Sequence, residues 1–204
     1  VLSTVIGNVA AISQTSIKRM LAFSSIAHAG YVFVAIVPGG YGALSDFAAS
    51  AVIFYLAAYG LTNIGAWSVV IAVDHADGMG SDISNYAGLA RRSPGLAAAM
   101  TLFMLSLTGL PPTMGFVAKF YVFRAALAAG YTWLVVVGVV TVLISAYYYL
   151  RVIVVMWMDS GDGQAVTPRA LNFTVGVTAA ATLVLGLLPG PLMAIVESSV
   201  RGLF

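Results

Sequence analysis

Lys119 stands in the apolar run Met114-Gly115-Phe116-Val117-Ala118-Lys119-Phe120-Tyr121-Val122-Phe123, just after the helix-breaking sequence Gly109-Leu110-Pro111-Pro112. In a bilayer, a lysine at mid-depth costs at least ~2.5–3.5 kcal/mol on insertion scales, so it reads first as a functional group. A broken helix beside it frees backbone carbonyls and amides, which is tolerable only where protein or a water-filled cavity satisfies them. Taking the ammonium out of water disfavours its charged form, so a lysine placed there can gain and lose a proton, as a relay requires. The competing use is snorkelling, with the stem stretched to the membrane surface. Lys119 lies six positions after Thr113, and Arg124 already serves the far end of that segment, which places Lys119 deep. Charge and break together point to ion or proton movement.

His28 is the second such residue. Ser24 lies four positions before it and Tyr31 three after, so all three share one helix face. Imidazole accepts a proton on one nitrogen and releases one from the other, which suits a relay, although a neutral core histidine bonded to a neighbouring helix has the same pattern. Tyr55, Tyr59, Thr62, Asn63 and Ala66 form a polar and small stripe that could host ordered water or simply glue helices together. Lys18-Arg19 is explained as a topogenic pair at a helix end, and Tyr147-Tyr148-Tyr149 with Arg151 as an interfacial aromatic belt. Glu197 is expected in an exposed tail.

The elements that must position these groups follow from composition. Apolar residues make up 61% of the chain and charged ones 8%, with a mean hydropathy of +1.00, too little polar surface for a soluble monomer. Ala48 to Val73 and Ala125 to Leu150 carry no charge, and each can span ~30 Å of hydrocarbon. The fold class is all-α: a polytopic transmembrane helical bundle of about six spans. These cover Val1–Ile17, Met20–Val37 (stopped by Pro38-Gly39-Gly40), Phe47–Val73, Pro94–Ala128 interrupted at Gly109–Pro112, Tyr131–Met158 and Ala170–Leu188. Pro94 fits the first position of a helix. The segment Asp74–Ser93, with Asp74, Asp77, Asp82, Arg91 and Arg92, reads as a surface loop, and Pro189-Gly190-Pro191 leads into a short amphipathic tail.

Lys18, Arg19, Arg91, Arg92 and Arg169 fall on one side, with Arg151 leaning the same way, against Arg201 and Arg124 on the other. The positive-inside rule makes the richer side cytoplasmic and puts Phe204 outside. The chain opens on the apolar Val1–Ile12 without a basic leader, so it is expected to be the C-terminal portion of a longer parent. With no cysteine, disulfides, thiolate metal sites and Fe–S ligation are excluded within the chain. The net charge of +2 is topogenic rather than a nucleic-acid patch. No Gly-rich phosphate loop, H-E-x-x-H or Ser/His/Asp set is present, so no cofactor or metal is expected here and any redox chemistry lies elsewhere.

The run Ser16-Ile17-Lys18-Arg19-Met20-Leu21-Ala22-Phe23-Ser24-Ser25-Ile26-Ala27-His28-Ala29-Gly30-Tyr31 resembles a signature of the antiporter-like membrane subunits of respiratory complex I and the related multisubunit Na⁺/H⁺ antiporters. Gly109-Leu110-Pro111-Pro112-Thr113-Met114-Gly115-Phe116-Val117-Ala118-Lys119-Phe120 resembles the discontinuous helix of the same family. Within it the chain is most similar to the N-type branch, counterpart of mitochondrial subunit 2. M-type members place a Glu where this chain has Lys119, and L-type members have Ser-Lys-Asp-Glu there with a His/Lys pair on the preceding helix. At the matching place this chain has Tyr55 and Tyr59.

The resemblance implies a fourteen-helix parent of two inverted five-helix repeats. Residues 1–158 would be the second repeat, and 159–204 a loop, the last transmembrane helix and a short tail. It implies a proton-translocating subunit of NADH:quinone oxidoreductase in the bacterial inner membrane, with NADH, FMN, Fe–S clusters and quinone held by partner subunits. Its partners would be the other membrane and peripheral subunits of the complex and the lipid bilayer. Lys119 would release or exchange the proton and Lys18 would stand near the cytoplasmic entrance. His28 would relay with them, and Tyr59, Ser24 and Tyr55 would be weaker relay members. Moving one charge through the membrane potential is worth about 2.3 kcal/mol per 100 mV, which sets the scale of the work. Two other readings stand beside this one: a proton-conducting subunit of a Na⁺/H⁺ antiporter without quinone chemistry, and a structural spacer whose polar groups only specify packing.

Overall fold

The computed structural model describes residues 1–37, 43–77, 81–161, 165–166 and 168–202. The Pro38-Gly39-Gly40 stop and Phe204 lie outside the described residues, as does the side chain of Asp77. The main helices are α1 (Leu2–Ile12), α2 (Ile17–Ile36), α3 (Ala43–Asp77), the short α4 (Leu89–Arg92), α5 (Pro94–Thr108), α6 (Met114–Ala128), α7 (Thr132–Met158), α8 (Arg169–Leu187) and α9 (Gly190–Arg201). Among the described residues no strand forms; Ser16 and Asp82 make one isolated antiparallel bridge.

Four helices are long and apolar enough to cross a membrane singly, over Ile17–Ile36, Asp46–Asp74, Thr132–Met158 and Arg169–Leu187. The chain is a multi-pass membrane protein. The expected broken span is divided between α5 and α6, as its Gly and Pro residues dictate. The expected first span is corrected. It does not run to Ile17: α1 ends at Ile12, with Ser13 as its C-cap. Lys18 and Arg19 therefore belong to the first turn of α2, whose N-cap Ser16 accepts a hydrogen bond from the Arg19 amide.

The segment after α3 is not a surface loop throughout, which corrects a second expectation. Ile83, Tyr86 and Leu89 are buried, and Ile17 and Ile83 bond the backbone of Ser81 and Thr15. The polar composition concealed an apolar spacing that anchors a 3-10 turn, Ile83–Tyr86, under the bundle. Burial, with the Asp74 charge nearby, pushes the Tyr86 phenol up, so it stays neutral.

The core is built as two apolar clusters at different depths. One joins Ile17, Met20 and Leu21 to the Ala66–Val73 part of α3, to α5 and to Tyr149, Val152 and Met156. The other joins Tyr31, Val34 and Ala35 to Phe54, Tyr55 and Ala58, to α6 and to Leu134 and Met193. Between these levels each helix contributes its buried polar residues: Ser24 and His28 on α2, Thr62 on α3, Ser106 on α5, Lys119 on α6, Thr141 and Ser145 on α7. The site is thus a polar layer at mid-depth.

Candidate functional site

The helix break creates the site's acceptors. The last four carbonyls of an α-helix have no partner within it, and here they belong to Leu105, Ser106, Leu107 and Thr108. Gly109 takes the left-handed conformation, with φ 88°, and its amide bonds the Leu105 and Ser106 oxygens. The Leu110 amide also returns to the Leu105 oxygen, closing a Schellman turn. The Leu107 and Thr108 carbonyls remain, and Lys119 Nζ donates to both, at 2.7 and 2.8 Å. α6 is capped by Thr113, whose hydroxyl accepts from the Phe116 amide, and this start brings Lys119 back over the end of α5. Lys119 is 4% exposed, so it does not snorkel.

The break is held on several sides. Gly115 packs so closely on Ser106 that a Cβ there would collide with the Ser106 carbonyl, and its amide donates to Ser106 Oγ at 3.2 Å. The Ser106 hydroxyl also meets Thr62 Oγ1 at 3.1 Å, tying the break to α3. On α8, Gly186 touches the Pro112 carbonyl in the same way.

A void of about 10 Å³ lies beside Lys119, lined among others by His28, Tyr55, Tyr59, Thr62 and Ser106. That is room for about one water molecule, and its walls supply polar partners. His28, 5% exposed, has Tyr55 OH 2.7 Å from Nδ1 and Tyr149 OH 3.4 Å from Nε2. Its ring stacks on Tyr59 with centroids 4.6 Å apart. Ser24 meets the Tyr149 hydroxyl in a short hydrogen bond. The Tyr31 ring faces Lys119 Nζ at 5.0 Å from its centroid, a cation–π distance. The Tyr31 hydroxyl donates to Thr141 Oγ1 at 3.1 Å and accepts from Asn8 Nδ2 at 3.4 Å, while Tyr148 OH donates to Asn8 Oδ1 at 2.9 Å.

The structure therefore gathers Lys119, His28, Tyr55 and Tyr59 around one void and links Ser24 to them through Tyr149. Lys18 is apart, ten residues or about 15 Å along α2 from His28. Its Nζ pairs with Asp74 Oδ2 at 3.0 Å, with both side chains about one third exposed, at 35% and 37%. Such a pair contributes about 0–1 kcal/mol to stability. Lys18→Gln is accordingly expected to leave the thermal midpoint of the assembled protein within a few degrees of wild type.

The aromatic belt is corrected. Tyr147 is 61% exposed, but Tyr148 and Tyr149 are buried, because consecutive helical positions turn by about 100° and carry the latter two into the bundle. Tyr149, Tyr148, Asn8 and Ser106 are site residues that the sequence reading missed. An apolar helix gives no sign of which face points inward. Tyr149→Phe removes the hydroxyl shared by Ser24 and His28, and proton uptake through this cluster, measured in membranes, is expected to slow several-fold if the cluster passes protons. Tyr147→Phe is expected to leave uptake unchanged, and equal effects of the two would remove Tyr149 from the site.

Among the described residues no group of three or more His, Asp or Glu is placed to hold a metal. The family described as NADH:quinone oxidoreductase/Mrp antiporter, transmembrane, matches residues 1–145. NADH-quinone oxidoreductase subunit N of Chloroflexus aggregans is 44% identical over 201 residues, covering 97% of this chain and 40% of that protein. A chain of respiratory complex I from Thermus thermophilus with bound aureothin superposes with a TM-score of 0.82 at 36% identity, over 95% of this chain and 43% of that one. A chain of the Mrp complex from Dietzia sp. has a TM-score of 0.80 at 21% identity, over 97% and 45%, a likeness of fold alone. The chain spans about two fifths of the length of the curated relatives it matches.

Proposed function

The chain belongs to the NADH:quinone oxidoreductase/Mrp antiporter transmembrane family, and from that premise we propose that it is the second proton-translocating half of a subunit N of NADH-quinone oxidoreductase. The observation that carries this reading is the buried Lys119 ammonium held on the two free carbonyls of a broken helix, beside a water-sized void. The void, the imidazole of His28 and the hydroxyls of Tyr55, Tyr59 and Tyr149 supply the short steps that proton transfer needs. Lys119 exchanges the proton; His28 passes it; Ser24 and Tyr149 fix the imidazole.

Lys18 stands at the cytoplasmic entrance in this reading, paired with Asp74 until a proton or field displaces it. Residues 1–158 form the second five-helix repeat of a longer parent, and 159–204 carry its last transmembrane helix and tail. The match of the family to residues 1–145 supports that division. Energy from quinone reduction in partner subunits, which hold NADH, FMN, Fe–S clusters and quinone, would drive the charge movement. The membrane is the bacterial inner membrane, with the C-terminus outside. In support, Arg151 donates to the Gln14 carbonyl and so lies at the same end of the bundle as Lys18, on the side richer in Lys and Arg.

The test is the company the full-length parent keeps. Purified from its native membrane by a tag, it is expected to bring down an NADH-oxidising flavoprotein and to pump protons without sodium. Recovery with small membrane proteins alone and sodium-dependent transport would establish the antiporter reading instead.

A further inference from the structure

Lys119 is held by two carbonyl oxygens, and among the described residues no carboxylate forms an ion pair with it. A buried ammonium so placed lacks the opposite charge that usually offsets its removal from water. What lies across from it is an aromatic face. Nζ stands over the Tyr31 ring, 5.0 Å from its centroid, and Tyr31 is 1% exposed. The face of such a ring is negative, so it attracts positive charge, and more strongly where water is excluded.

The ring is fixed in this attitude from its far end. Its hydroxyl donates to Thr141 Oγ1 on α7 and accepts from Asn8 Nδ2 on α1. Asn8 is itself held, because its amide also donates to the Thr4 carbonyl and its oxygen accepts from the Tyr148 hydroxyl. α1 crosses α2 so closely at Gly30, the neighbour of Tyr31, that a Cβ there would lie 2.8 Å from the Thr4 backbone nitrogen. Phe123 and His28 meet the ring at steep angles, 77° and 85°, so neither stacks on it. Both bonds of the hydroxyl go to α1 and α7 and not to Lys119. The lysine meets the ring and not its oxygen.

We propose that Tyr31 is a positioning residue for the proton on Lys119: its ring face holds the ammonium and not the neutral amine, and so sets how readily Lys119 gives its proton up. The inference rests on the reading of Lys119 as the exchanging group. A ring that only filled space would do so whatever its electron distribution. A ring that seats a cation loses its pull as fluorine withdraws electron density from its face, with little change in shape. The other titratable groups that face Lys119 are His28 on α2 and Tyr55 and Tyr59 on α3. α5 presents its carbonyls and Ser106, and α7 the apolar Val139, Val142 and Leu143. α8 carries no titratable group beyond Arg169 at its start, and on α6 itself Tyr121 and Arg124 follow within two turns.

In the full-length parent complex, Tyr31 is replaced by phenylalanine and by phenylalanines bearing one, two and three ring fluorines, and proton uptake is followed against pH in membranes. Uptake fails at high pH once Lys119 carries no proton. That alkaline limb is expected to move stepwise to lower pH with each fluorine, by about one unit across the series, a tenfold change in the protonation equilibrium. Tyr31→Leu, which removes the face altogether, is expected to lie at or beyond the end of the series. The fluorinated rings keep their shape and serve if Tyr31→Leu does not assemble. An alkaline limb that stays in place through the series would overturn the proposal, as would a shift confined to the acid limb, which would assign the ring to His28. Lys119→Met, measured beside them, separates the two readings. If it lacks uptake while the series is flat, only the role of Tyr31 falls; if it keeps full uptake, the exchanging lysine falls and Tyr31 with it.

Discussion

Lys119→Met in the full-length parent is expected to lower proton uptake and NADH-to-quinone electron transfer together, each at least tenfold. Methionine fills the volume of the lysine stem, so packing between α5 and α6 survives. Its thioether cannot donate, and the Leu107 and Thr108 carbonyls lose their partner. Leaving a buried acceptor unsatisfied costs about 1–3 kcal/mol, so native gels must first establish assembly. Lys119→Arg is not expected to rescue, since the guanidinium stays protonated and its fork does not fit two carbonyls on one turn. Full electron transfer with full pumping in an assembled Lys119→Met complex would reduce the lysine to a packing residue.

Gly109→Ala should imitate that loss while leaving the lysine in place, again by about tenfold in proton uptake. A Cβ at Gly109 would lie 2.7 Å from Lys119 Cδ and 3.3 Å from Nζ, so the stem must leave its present course. The residue also sits at φ 88°, where a side chain adds roughly 1–2 kcal/mol of backbone strain. Gly130 separates the two effects. Its φ is 82°, but a Cβ there meets nothing within 4 Å. Gly130→Ala should therefore lower stability by a similar ~1–2 kcal/mol and leave uptake unchanged. If it lowers uptake as much as Gly109→Ala, strain and not lysine position is what the assay reads.

Much of the site was legible because burying charge and breaking a helix both carry large costs. Lys119 after Gly109-Leu110-Pro111-Pro112 needed no structure to attract suspicion, and the spacing of Ser24, His28 and Tyr31 fixed a shared face. The pairing of lysine with two particular carbonyls was less visible, since it depends on how α6 folds back after Pro112. Tyr149 was misread for a simple reason. Nearly every residue of α7 is apolar or aromatic, so the sequence has no phase, and three consecutive tyrosines look alike until the helix is rotated into place. Ser16 could have revealed the true start of α2, because its side chain caps the first turn; the adjacent Lys18-Arg19 pair drew the boundary to itself instead. Glu197 was placed outside because charge near a chain end usually is, whereas the apolar face of α9 draws that helix onto α3.

The two bonds from Lys119 have a consequence in donor arithmetic. A protonated amine has three N–H groups, and two are spent on the carbonyls of Leu107 and Thr108. The neutral amine still has two, enough for both carbonyls, with a lone pair where the third hydrogen was. The end of α5 therefore keeps its partners in either state, and the only valence that changes is the one left for the void. The helix break can stand still while the proton moves.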